Sequence, residues 1–272
     1  MKKILLIAIF SLSNLAFAKI NIVVSIKPLH SIISNLTQGV AKPKLLLQNN
    51  QSAHHFHLSP KQISLISNAD LIISLHPEFE TGLAKSLRQI AQNKQIIINS
   101  ATQHKRHSWL DIADMQALSK IISRKLRQID PENSKIYQKN LQLTMQKLAK
   151  LKRENAEKLS NYQHSKVAIF SNAIAPFLLS NNLQSPITVT KTHNDRLSIY
   201  KISSAQQLMK KQKTSCLLST IEIPQKRINT LTEIANINSA RIDIIGTNVR
   251  QGAGQYFQLM RAIAGQVVQC LR

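Results

Sequence analysis

Three histidines fall within four positions of a 272-residue chain: His54, His55 and His57. Neutral imidazole is the commonest side-chain ligand for transition metals, so a cluster this dense reads as a metal site as readily as a solvated polar loop. His107 follows an isoleucine-rich run, Gln95–Asn99, and Asp243 lies in a second such run, Arg241–Ile245. Both runs read as strands. Ligands of open parallel sheets sit in the crevice beyond the carboxyl ends of strands, so His54, His107 and Asp243 could enclose one dication drawn from both halves of the chain. His193, in the polar stretch 191–196, is the best further ligand from the second half; His30, His76 and His164 read as packing or surface residues.

Positioning these residues requires a particular order of elements. Ile20–Ile26, Lys44–Leu47, Asp70–Leu75 and Gln95–Asn99 read as strands. Helices are expected over Leu29–Gln38, from Ser59-Pro60 onward, and over Glu78–Ile90. This alternation predicts βαβ units and a parallel sheet. Residues 114–160 break the rhythm: no Pro or Gly occurs from Glu132 to Ser160, which predicts a helix of up to about 29 residues, roughly 43 Å long. Strands at Lys166–Phe170, Ile187–Thr190, Cys216–Thr220 and Arg241–Ile245 and a last helix from Gly254 to Leu271 then resume the alternation. The fold class expected is α/β: two lobes, 19–130 and 161–272, each a mostly parallel sheet flanked by helices, joined by one long rigid helix over 131–160.

The N-terminus carries an address. Lys2 and Lys3 precede an apolar stretch from Ile4 to Leu15, and Ala16-Phe17-Ala18 is a small-x-small cleavage site. The stretch is too short to span a bilayer, so residues 1–18 read as a secretory signal peptide cut after Ala18. Export permits disulfides, and Cys216 and Cys270 are the two cysteines; they read either as a pair or as two buried thiols.

The 36 Lys and Arg against 13 Asp and Glu give a net charge of +23. Eleven of the cations and four of the acids fall in residues 115–158, with Tyr137 the single aromatic among them, which is the pattern of a solvated helix face. With export, that argues against nucleic acid as a partner. An apolar fraction of 43 % excludes generic disorder.

Five stretches together resemble a known family. They are Ser25-Ile26-Lys27-Pro28-Leu29, Ser52-Ala53-His54-His55-Phe56-His57-Leu58-Ser59-Pro60, Asn68-Ala69-Asp70-Leu71-Ile72-Ile73, His107-Ser108-Trp109-Leu110-Asp111 and Asp243-Ile244-Ile245-Gly246-Thr247-Asn248. In this order they resemble the cluster A-I metal-binding proteins of ABC importers, in the periplasmic zinc-binding subgroup. The resemblance implies a periplasmic solute-binding protein, not an enzyme, that captures a divalent ion between its lobes, zinc ahead of manganese. It would act as a monomer and pass the ion to an inner-membrane permease with a cytosolic ATPase. It implies metal ligands at His54, His107 and Asp243, and a disulfide between Cys216 and Cys270. The chain departs from the family where Ser171-Asn172-Ala173-Ile174 replaces His-Asp-Ala-Tyr, so Ser171 stands where a third histidine ligand is expected. Water, His55, His57, Ser171 or His193 would complete the ion's shell, since zinc takes four ligands. The alternatives are a degenerate relative acting as an adhesin-like surface protein through its positive charge, and a zinc-dependent hydrolase using the open ligand position.

Overall fold

The structure, a computed structural model, describes residues 20–48, 53–54, 56–98, 107–190 and 198–272. The expected signal peptide, His55 and His193 lie outside the described residues.

The first lobe contains β1 (Ile22–Val24), α1 (Lys27–Leu36), β2 (Lys44–Leu45), α2 (Pro60–Ser67), β3 (Leu71–Leu75), α3 (Ala84–Leu87) and β4 (Gln95–Ile98). Its strands lie in the order β2-β1-β3-β4, all parallel. Strands β1 and β3 are buried along their whole length, as expected of central strands covered on both faces. The Ser59-Pro60 start of α2 is closed by a capping box, in which Ser59 and Gln62 satisfy each other's backbone N–H groups.

Two antiparallel helices follow, α4 (Ile112–Ile129) and α5 (Ser134–Leu159). The 26 residues of α5 bury a stripe of Tyr137, Asn140, Thr144, Leu148, Leu151, Asn155 and Leu159, spaced to face one side. Asn140 donates to the carbonyls of Leu36 and Gln38, closing the C-terminal end of α1.

The second lobe repeats the plan of the first. It holds β5 (Val167–Ile169), α6 (Ala175–Ser180), β6 (Ile187–Thr188), α7 (Ile199–Lys211), β7 (Cys216–Thr220), α8 (Gln225–Ala235), β8 (Asn238–Ile242) and α9 (Gln255–Leu271). Its sheet has the parallel order β6-β5-β7-β8, the counterpart of the first.

Alternation along β5 and β7 splits the second lobe's interior. Val167, Ile169 and Leu218 join a core that continues through Leu148 and Leu151 of α5 and Met260 of α9 to Val24, Leu29 and Ile73 of the first lobe. Ala168, Phe170 and Leu217 face the other way, onto Met209, Ile228 and Leu231. The two lobes are therefore packed through one continuous apolar cluster.

Strands β2 and β6 each end two residues short of the sequence reading, and two further elements differ more. The helix expected over Glu78–Ile90 is reduced to α3, because the residues before it are held by other bonds: the Glu80 carboxylate accepts the Leu75 N–H, and Thr81 bonds to His54. Gly82 lies so close under Phe56 that any Cβ would collide with the Phe56 carbonyl. The last strand ends at Ile242 rather than Ile245, so Asp243 opens a loop instead of lying in the sheet. Its carboxylate captures the backbone donors of the next residues, an Asx-type competition with the strand ladder.

Cys216 in β7 and Cys270 in α9 are joined by a disulfide across 54 positions, tying the last helix to a central strand. Replacing both by Ser should lower the unfolding free energy by roughly 4 kcal/mol on the chain-entropy model, read from chemical denaturation of the oxidised wild type beside the double variant.

Candidate metal site

All the candidate ligands that the structure describes follow the carboxyl ends of strands. The segment carrying His54 follows β2, the one carrying His107 follows β4, Ser171 follows β5 and Asp243 follows β8. Between β1 and β3 the chain's crossovers diverge to opposite sides, which is where open parallel sheets leave a crevice.

His54 and His107 come together. Their ring centroids are 5.8 Å apart, and Phe79 packs against both, at 4.0 Å from His54 and 5.1 Å from His107. Trp109 completes the aromatic wall, 5.1 Å from His107 and 5.4 Å from Phe79. The His54–His107, Phe79–His107 and Phe79–Trp109 pairs meet edge to face, an arrangement that aromatic rings favour. The Thr81 hydroxyl donates to the His54 carbonyl at 2.8 Å, holding the backbone of that loop. His107 is only 8 % exposed.

Asp243 is organised differently. One carboxylate oxygen accepts the N–H groups of Ile245 and Gly246, at 3.1 and 2.8 Å. The other accepts the N–H and hydroxyl of Thr247, both at 2.6 Å. Gly246 has φ +72°, and a Cβ there would strike the Gln255 amide, so the turn requires glycine. The loop docks on the same corner as His107: the Trp109 indole donates to the Ile244 carbonyl at 2.8 Å, and the Tyr256 hydroxyl donates to the Trp109 carbonyl at 2.8 Å. Burial, with Asp111 and Asp114 nearby, holds the Tyr256 phenol well above its usual pKa, so it remains a donor.

Of the other candidates, Ser171 is buried and His57 is exposed. Among the described residues, no group of three His, Cys, Asp or Glu side chains is gathered closely enough to hold an ion as it stands. The structure thus brings two imidazoles together and ties the Asp243 loop to their corner, while the Asp243 carboxylate faces its own backbone.

Sequence reasoning assigned no role to Lys27. Its side chain is 4 % exposed, and its ammonium donates to the carbonyls of Gly246, Thr247 and Val249 at 3.1, 2.9 and 3.0 Å. Burial lowers its pKa, and the charge of Asp243 opposes that shift. The available signal was its setting: Lys27 is the one charged residue between Ile20 and Leu36.

Paired parallel sheets of matching strand order, packed through a shared core with a long helix between them in the chain, define the class, a two-lobed solute-binding fold. The chain belongs to the family described as zinc-uptake complex component A, periplasmic, whose model it matches over residues 22–270. It is 24 % identical over 313 aligned positions to the high-affinity zinc uptake system protein ZnuA of Brucella abortus, covering 95 % of this chain and 94 % of that one. Two solved structures have the same fold. FpvC of Pseudomonas aeruginosa, in complex with Mn2+, gives a TM-score of 0.80 at 18 % identity, covering 93 % of this chain and 98 % of that one. The periplasmic metal-binding protein of Candidatus Liberibacter asiaticus gives 0.80 at 16 % identity, covering 93 % and 100 %.

Glu80 lies between Phe79 and Thr81, both of which contact His54, and is fully buried. Desolvation raises its pKa from 4.5 to about 8, against the opposing pull of the Ser25 hydroxyl and the Leu75 N–H. The folded state therefore retains a proton that the unfolded chain loses. The resulting stability is complete below pH 4.5 and is lost as pH rises through about 8. Glu80→Gln should flatten the stability profile across that window, as measured by urea unfolding at a series of pH values.

Proposed function

We propose that this chain is the periplasmic capture component of an ABC importer and that its cargo is a divalent metal ion, zinc ahead of manganese. The observation that carries this reading is the His54–His107 pair, walled by Phe79 and Trp109 and joined to the Asp243 loop by a hydrogen bond from the Trp109 indole. Imidazole nitrogen is a borderline donor suited to zinc, and a carboxylate adds the negative charge that a dication favours.

In this reading His54 and His107 are the first ligands to meet the ion. Asp243 joins by exchanging one of its four hydrogen bonds for the metal. The remaining position is filled by water or by one of His55, His57, Ser171 and His193. Serine in place of a third imidazole leaves a neutral oxygen, a weaker zinc donor than nitrogen, so this site holds its cargo less tightly than a three-histidine site would. The chain catalyses no reaction. It is exported by residues 1–18, cut after Ala18 and organised as lobes 19–130 and 161–272 about the helical segment 131–160. It works as a monomer that hands its ion to an inner-membrane permease driven by a cytosolic ATPase.

Native mass spectrometry and calorimetric titration test this. Wild type should take up one zinc per chain. His54→Ala and His107→Ala should each weaken binding by at least about 10- to 100-fold, the loss typical of removing even an outer-shell partner. Asp243→Asn should weaken it less if the loop retains its shape. A wild-type protein with no saturable zinc or manganese uptake would sink the reading.

A further inference from the structure

The segment after Asp243 is gripped from two sides by opposite charges. Its N–H groups at Ile245, Gly246 and Thr247 point to the Asp243 carboxylate. Its carbonyls at Gly246, Thr247 and Val249 point to the Lys27 ammonium, which comes from the first turn of α1 in the other lobe. An ammonium has three donors, and here each finds a carbonyl within one four-residue stretch. A buried cation without such partners would be strongly unfavourable, so side chain and loop hold each other in place.

We propose that Lys27 is a positioning residue of the metal site: an interlobe latch that fixes the Asp243 loop against the His107–Trp109 corner and thereby slows release of the ion. The proposal rests on the metal-capture reading for its consequence, but the latch itself exists without metal. The same helix makes a second, separate link. The Ser31 hydroxyl donates to the Ala253 carbonyl at 2.9 Å and accepts the Tyr256 N–H at 3.0 Å, while Asn35 donates to Ala253 at 2.7 Å. These bonds hold the start of α9 and use none of the three carbonyls that Lys27 engages. Ser31 is therefore the internal control, because it joins the same two lobes without touching the loop.

The charge of Lys27 has a second effect that the test must separate. A cation near Asp243 repels a dication, so removing it could tighten binding by electrostatics alone. Arginine separates the two roles. It keeps the charge, but its planar fork does not reproduce the three-carbonyl geometry of an ammonium.

Amide hydrogen exchange on the metal-free protein reads the latch directly. Lys27→Met should raise exchange at 245–249 by at least about tenfold, because hydrogen bonds from a charged donor are lost. Lys27→Gln is the substitute if the Met variant does not fold. Lys27→Arg should raise exchange by less, and Ser31→Ala should leave 245–249 unchanged. Zinc release into excess chelator, followed by stopped flow through Trp109, the sole tryptophan, should accelerate in the same order. Three results would overturn the latch: unchanged exchange at 245–249 in a folded Lys27→Met or Lys27→Gln variant; Ser31→Ala loosening the loop as much; or Lys27→Arg matching wild type while Lys27→Met holds zinc more tightly. If wild type takes no zinc, the capture reading fails, and the exchange measurements alone still decide whether Lys27 latches the loop.

Discussion

The loop from Asp243 to Val249 has its backbone dipoles aligned between an anion and a cation, the Asp243 carboxylate on the N–H side and the Lys27 ammonium on the carbonyl side. Lys27 is buried and Asp243 half-buried, and among the described residues no direct salt bridge joins them. Each is instead satisfied through the loop. Such an arrangement is costly to break from either end, because loss of one partner strands several oriented groups. It also means that the carboxylate and the first lobe move together.

That coupling agrees with the rest of the packing. The continuous core from Val24 and Ile73 through α5 to Ile169 and Met260 leaves no solvent layer about which the lobes could swing freely. Asn140, Trp109, Tyr256 and Ser31 add hydrogen bonds between distant parts of the chain. Interdigitated interiors resist graded deformation, so packing of this kind favours small loop shifts over wide lobe opening.

The high positive charge has to be set against capture of a cation. Ten of the eleven Lys and Arg in 115–158 are exposed, on the outward faces of α4 and α5. Screening confines the influence of such charges to about 8 Å at physiological ionic strength. In the reading proposed above, the site beside Phe79 and Trp109 is then governed by its own imidazoles and by Asp243 and Lys27. Salt screens buried pairs of charges far less than it screens surface lysines.

Period and punctuation made much of the architecture legible. Short β-branched runs separated by helical spacing gave the parallel sheets, the Pro- and Gly-free stretch gave α5, and Ser59-Pro60 marked the start of α2. The histidine cluster, His107 before Trp109 and the late Asp243 were visible as residue types placed after strands. Local pattern could not show that Glu80 and Thr81 would divert the chain from helix, because their partners Leu75 and His54 reach them only in the fold. The same is true of Asp243 leaving the strand and of Lys27, more than two hundred positions away, closing the loop that follows it. Periodicity records which face of an element is buried. Which polar groups meet there depends on contacts between segments remote in sequence, and those exist only once the two lobes have packed.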